Sequence, residues 1–152
     1  MKISTKGRYA LRFMVDLAQN APDAKRNIAL NEISARQDIS VKYLEQIVTK
    51  LCKEGLLSSC RGPQGGYRLI KRPEEYSIGE ILFAIEGKMA PIACLDENKI
   101  ACPRKDRCAA IKFWSGLDNV INDYINSVSL GEIANEPENC PIKSENCLKS
   151  DQ

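Results

Sequence analysis

The clearest pattern in the chain lies in residues 40–55. Val41, Leu44, Ile47, Val48 and Leu51 recur at spacings of three and four, which predicts one apolar face of a helix. Ser40 is an N-cap residue type, and Gly55 suits the left-handed turn that ends a helix. The other face carries Lys42, Tyr43, Glu45, Gln46, Thr49 and Lys50, expected in solvent. Two short strand-like runs follow, residues 56–60 and 67–70. They are joined by Arg61-Gly62-Pro63-Gln64-Gly65-Gly66, a turn too glycine-rich to be chosen for packing. Upstream, residues 4–20 predict a first helix with Ala10, Leu11, Met14, Val15, Leu17 and Ala18 inward and Arg8, Arg12 and Asp16 wet. Residues 28–30 suit a short strand. Asn31 suits the cap of a second helix with Ile33 and Ala35 inward, ending near Gln37 and Asp38. Two helices with a tight joint at Ile39-Ser40, followed by a hairpin, predict a winged helix-turn-helix.

Beyond the hairpin, Ser77 is placed to cap a helix over 78–86 that Gly87 ends. Residues 88–106 have no sustained period and contain two prolines, so they read as a long loop, usually a sign of function. A long helix is expected from Arg107. Its wide stripe of Ala110, Phe113, Trp114, Leu117, Val120, Ile121, Tyr124, Ile125 and Val128 suits dimerisation, and 129–134 adds one more turn. The expected fold is mainly α with a small β-wing. It divides into a DNA-binding domain (1–87), a cysteine-bearing loop (88–106), a dimerisation helix (107–134) and a polar tail (135–152).

Charge sharpens this division. Residues 1–73 hold 14 Lys/Arg against 6 Asp/Glu, net +8, and residues 74–152 hold 8 against 14, net −6. A basic front and an acidic back suit a DNA-facing domain joined to one that does not face DNA. The candidate DNA contacts are Lys42, Tyr43, Glu45, Gln46, Thr49 and Lys50 on the helix, with Arg61, Gln64 and Arg68 on the wing. Gln46 suits adenine and Glu45 a cytosine amino group. Arg61 suits a narrow minor groove, and Arg68, Lys71 and Arg72 suit phosphate. The chain of 152 residues has no histidine, no nucleotide-binding glycine loop and no paired carboxylates, which argues against an enzyme. No apolar run nears the ~20 residues of a membrane span and no signal-peptide pattern is present, so a cytoplasmic protein is expected.

Seven cysteines in such a chain point away from disulfides. Cys52 and Cys60 fall in apolar surroundings and read as small core residues. The other five, Cys94, Cys102, Cys108, Cys140 and Cys147, all lie after residue 90, where a metal or redox site is to be sought. Lys99, Arg104, Lys105 and Arg107 stand near the first three and would offset the negative charge of a thiolate-bound centre.

Lys6-Gly7-Arg8-Tyr9-Ala10, Ile39-Ser40, Tyr43-Leu44-Glu45-Gln46, Gly55-Leu56, Arg61-Gly62-Pro63, Gly65-Gly66-Tyr67 and Ser129-Leu-Gly-Glu-Ile occur in that order. Together they resemble the IscR-type winged-helix transcription regulators over roughly residues 1–134. The resemblance implies a homodimer that binds dyad-related sites in double-stranded promoter DNA, usually as a repressor. It also implies an iron–sulfur cluster on Cys94, Cys102 and Cys108, in the loop before the dimerisation helix. The chain departs from the family pattern here. Seven residues rather than five separate Cys94 from Cys102, Ile111 stands where one branch has a histidine, and Arg8 where another uses an acidic residue. A 2Fe–2S cluster is favoured over 4Fe–4S. The fourth ligand is unassigned among Cys140 or Cys147, an acidic side chain (Asp96, Glu97 or Asp106) and a small thiol. Zinc on four cysteines is a further reading. The alternative is a cluster-free regulator of the same fold answering to thiol oxidation or a protein partner.

Overall fold

A computed structural model describes residues 2–96 and 102–136. Six helices and one hairpin follow in order: α1 (Thr5–Asn20), α2 (Leu30–Gln37), α3 (Val41–Lys53), β1 (Leu57–Cys60), β2 (Gly66–Leu69), α4 (Ile78–Glu86), α5 (Ile111–Ser127) and α6 (Leu130–Ala134). This is a mostly helical winged helix-turn-helix with a two-stranded antiparallel wing. The core gathers Phe13, Met14 and Leu17 of α1, Ile33 of α2, Leu44, Ile47 and Leu51 of α3, and Ile81 of α4, all fully buried. No helix among the described residues is long and apolar enough to cross a membrane.

Local chemistry sets most boundaries. Ser4, Ser40 and Ser77 each accept a hydrogen bond from a backbone N–H one turn into α1, α3 and α4. Gly55, at φ +72°, lets the Leu56 N–H turn back to the Leu51 carbonyl at 2.9 Å. Leu57 pairs with Leu69, both buried, which fixes the wing's inner face. The hydroxyl of fully buried Tyr76 donates to the Leu56 carbonyl and accepts from Ile70 N–H, both at 2.9 Å, joining the two strand roots.

Several local expectations are corrected. Leu30 is already helical, so the 28–30 strand shrinks to a bridge between Ile28 and Tyr67. The first residue of α2 follows Ala29, which offers no side-chain cap, and Ala35 is exposed rather than inward. The glycine turn is shaped by packing after all: a Cβ on Gly66, at φ +146°, would run into the Ile28 carbonyl. The long helix begins at Ile111, because Lys105–Arg107 form a separate 3-10 turn. Residues 130–134 are not its continuation. Ser129 and Glu132 make a fresh capping box, Leu130 N–H bonds the Tyr76 carbonyl, and fully buried Leu130 joins the core beside α1.

The largest departure is Asp16, expected wet and found 1 % exposed. Arg36 holds its carboxylate in a bidentate grip, with Nη2 at 2.6 Å and Nε at 3.0 Å, and the Gln37 amide donates at 2.9 Å. That hydrogen bonding raises the Arg36 guanidinium above its ordinary pKa. Asp16→Ala removes both partners' acceptor inside the fold, and a loss of about 2–4 kcal/mol is expected in urea unfolding. Glu32→Ala, which removes only the exposed rim of the same network, is expected to cost under about 0.5 kcal/mol.

Candidate functional site

The helix-turn-helix joint is built by short-range bonds. Asp38 adopts the left-handed conformation (φ 52°, ψ 48°), which asparagine and aspartate tolerate better than most residues. The Ser34 hydroxyl donates to the Ile39 carbonyl at 2.6 Å and the Ile39 N–H reaches the Ser34 carbonyl at 3.3 Å. Ile39 is buried, and α3 leaves the joint with its Leu44–Ile47–Leu51 face in the core. Its opposite face is therefore held outward.

On that outward face Lys42, Glu45, Gln46 and Thr49 are exposed and line a single shallow hollow. Neither Lys42 nor Gln46 makes a hydrogen bond or ion pair among the described residues, so both are free for a ligand. Tyr43 and Lys50 are placed differently. Tyr43 is half-buried and meets the Tyr9 ring edge-on, centroids 5.6 Å apart. Lys50 is turned toward α4, its ammonium donating to the Ile85 carbonyl at 2.5 Å. It satisfies a carbonyl in the last turn of that helix, where a cation is favoured.

Arg61, Gln64 and Arg68 are all exposed on the wing, with Arg61 and Gln64 in the turn and Arg68 on β2. Lys71 and Arg72 are engaged elsewhere: Lys71 pairs with Glu80 at 2.8 Å and lies over the Tyr76 ring, and Arg72 pairs with Glu75. Burial first, then the nearness of Cys52 and Glu45, raises the Tyr67 phenol above its ordinary pKa. Helix α3 and the wing each present exposed cations and amides, groups able to meet a phosphate backbone and base edges.

The cysteines divide in two. Cys52 is half-buried, and burial pushes its thiol up in pKa, the mark of an unreactive core thiol. Cys60, expected in the core, is exposed at the end of β1. Cys94 lies in a 3-10 turn (Ala93–Leu95) and Cys108 directly follows another (Lys105–Arg107). Cys94 and Cys102 are half-buried and Cys108 is exposed. Among the described residues no three Cys, Asp or Glu side chains converge on one point. Asp96 is half-buried and Asp106 exposed. Glu97, Lys99, Cys140 and Cys147 lie outside the described residues.

The loop opens beside both α3 and α1. One residue past Ile85, the Glu86 carboxylate accepts from the Ser4 hydroxyl at 2.6 Å and the Ser4 N–H at 2.9 Å. Gly7 leaves the room for it, since a Cβ there would strike Glu86 Oε1. Gly87, at φ +75°, then turns the chain into the cysteine loop. Sequence reasoning missed this junction. Its only signal was the invitingly small Gly7 on an otherwise ordinary helical face.

This architecture has relatives. The family described as "Rrf2: Iron-dependent Transcriptional regulator" matches residues 3–136. The chain belongs to the Rrf2 family. It is 39 % identical over 133 residues to the HTH-type transcriptional regulator IscR of Aliivibrio salmonicida, covering 88 % of this chain and 77 % of that one. Its identity to Escherichia coli IscR is 37 % over 138 residues, covering 91 % and 83 %. Among solved structures, CymR (YrzC), the global cysteine regulator of B. subtilis, superposes with a TM-score of 0.71 at 31 % identity, over 88 % of this chain and 96 % of that one. T. potens IscR superposes with a TM-score of 0.66 at 32 % identity, over 88 % and 85 %. The protein is accordingly a transcriptional regulator of the IscR/Rrf2 type and not an enzyme.

Arg61→Ala is expected to weaken binding to A·T-rich specific duplexes while leaving the melting temperature unchanged. Gln46→Ala is expected to relax selectivity at one base position by about 1–3 kcal/mol. Titrations at fixed salt check both, and unchanged binding by the Arg61 variant would retire its minor-groove assignment.

Proposed function

We propose that this Rrf2 protein is a cytoplasmic homodimeric repressor that reads dyad-related promoter sites through α3 and the wing, with an affinity governed by an iron–sulfur cluster on Cys94, Cys102 and Cys108. The observation that carries the reading is the position of these thiols. They lie on the one connection between α4, whose last turn holds Lys50 of α3, and α5, which has no buried residue.

The donor set suits the group in kind. Three thiols are soft ligands for iron, and Arg104, Lys105 and Arg107 between Cys102 and Cys108 offset the negative charge of thiolates. When bound, such a cluster supplies an iron- and redox-responsive link among three points of the loop. The rest belongs to the chain itself. Residues 94–108 drawn together would pull on Gly87 and the end of α4, where Ile85 and Glu86 hold α3 and α1. A shift of that turn changes the set of the recognition helix, a choice between two arrangements of the dimer.

The dimer reading rests on α5. Phe113, Leu117, Val120 and Tyr124 recur at spacings of four, three and four on one face, and Phe113, Val120 and Tyr124 are 66 %, 65 % and 68 % exposed. An apolar stripe of this kind calls for cover, and a second copy of the same helix supplies a matching one. Val120→Glu is expected to halve the mass in sedimentation and to abolish binding to a two-half-site operator. A variant that stays dimeric places the interface elsewhere.

A second reading, a cluster-free regulator answering to thiol oxidation or a protein partner, draws on the likeness to CymR. Oxygen-free purification separates the two, with iron, acid-labile sulfide and the visible spectrum measured on the wild type and Cys102→Ala. Brown protein holding both elements, bleached by the substitution, is the expected result. Colourless wild type after anaerobic reconstitution, without zinc, would support the second reading.

A further inference from the structure

The hollow on the outward face of α3 has a fifth wall that the helix-turn-helix pattern does not supply. Lys6, from the first turn of α1, lines it together with Lys42, Glu45, Gln46 and Thr49. Its side chain is half-buried, and among the described residues it makes no ion pair or hydrogen bond. The first turn of α1 contains no acidic residue, and Glu45, the carboxylate that shares the hollow, forms no ion pair with it among the described residues.

The position is held from several sides. One residue on, Gly7 packs against Glu86, and Ser4 is locked by two hydrogen bonds to the same carboxylate. Three residues on, Tyr9 meets Tyr43 at the start of α3. The backbone carrying Lys6 is therefore fixed relative to the readout residues, and only its methylene stem is left to move. A helix lying in the major groove has a phosphate strand along each side, and a fixed lysine at its flank meets one of them as a point charge.

We propose that Lys6 is a DNA-phosphate contact, supplied by α1 to the same surface that α3 presents. The assignment rests on the DNA-reading function proposed above. Because phosphate carries no sequence information, Lys6 contributes affinity and register but not base choice. It also stands on the segment that Glu86 secures, so its reach depends on the turn that opens the cysteine loop.

The test uses the full-length protein with two probes, a duplex selected from random-sequence DNA on the wild type and sheared genomic DNA, titrated over a series of salt concentrations. Lys6→Gln is expected to weaken binding to both by a similar severalfold factor. It should also lower the slope of log affinity against log salt by about 1 for each protomer bound. Lys6→Arg, which keeps the charge, is expected to restore the slope, and circular dichroism melting should be the same for all three proteins. An unchanged slope in Lys6→Gln, where Lys42→Gln lowers it, overturns the assignment. So does a loss confined to the selected duplex, since that marks base reading or a structural effect. Wild-type protein that binds neither probe instead overturns the DNA-reading function itself, which keeps the two failures apart.

Discussion

The DNA-reading half of the molecule depends on one buried carboxylate. Asp16 sits in the middle of α1 with no access to water, and a charge so placed must be matched by donors of fixed position. Those donors are Arg36 and Gln37, consecutive residues in the last turn of α2. Arg12, one turn earlier on α1, donates to the Gln37 carbonyl as well. The end of α2 is thus fixed at the point where the chain turns through Asp38 into α3. Apolar packing alone would let α2 slide or rotate at little cost, whereas a bidentate guanidinium–carboxylate pair has essentially one geometry. The pair fixes the end of α2 in one geometry, and a buried charge pair can do so while adding little net stability.

A second set of charged bonds gathers at the opposite end of α3. In the last turn of α4 the Ile85 carbonyl takes Lys50 and the Glu86 carboxylate takes Ser4, so one short segment fixes both α3 and α1. Helix α5 is tied to the same domain mainly at its far end. Ile78 N–H bonds the Val128 carbonyl, Leu130 N–H bonds the Tyr76 carbonyl, and Ser77 contacts Asn126. Buried Leu130 then anchors the chain against α1. Helix α5 is consequently held firmly at its C-terminus, while its N-terminus hangs on the cysteine loop.

Much of this was legible from sequence because it is local. Ser40, Ser77 and Gly55 announce helix ends through bonds that span three to five residues, and the α3 stripe declares its buried face by period alone. What escaped was set by distant partners. Asp16 borders the Phe13–Leu17 stripe and looks like a wet edge until Arg36, twenty residues away, arrives to bind it. Lys50 reads as an exposed cation, and only the fold brings the Ile85 carbonyl to it. Gly66 looked like simple turn chemistry, yet its missing Cβ makes room for the Ile28 strand bridge. Residue type reveals capacity for an interaction; the partner comes from topology.

At the start of α5 the helix and the cysteine loop share a backbone bond. Its N-cap, Ala110, offers no side-chain acceptor, so the first turn lacks the lock that serine gives α1, α3, α4 and α6. What holds it is backbone from the loop: Ile111 N–H bonds the Cys108 carbonyl at 3.2 Å. Cys108 therefore has two attachments, a side chain able to bind metal and a carbonyl already bonded to the helix that carries the exposed apolar stripe. Rotation about χ1 can move the Cys108 thiol alone, but a displacement of the whole residue must carry the first turn of α5 along or break that bond. A serine N-cap typically contributes about 1 kcal/mol, and the first turn of α5 lacks that contribution. An uncapped helix end therefore stands next to Cys108, on the helix that carries Phe113 and the exposed apolar face.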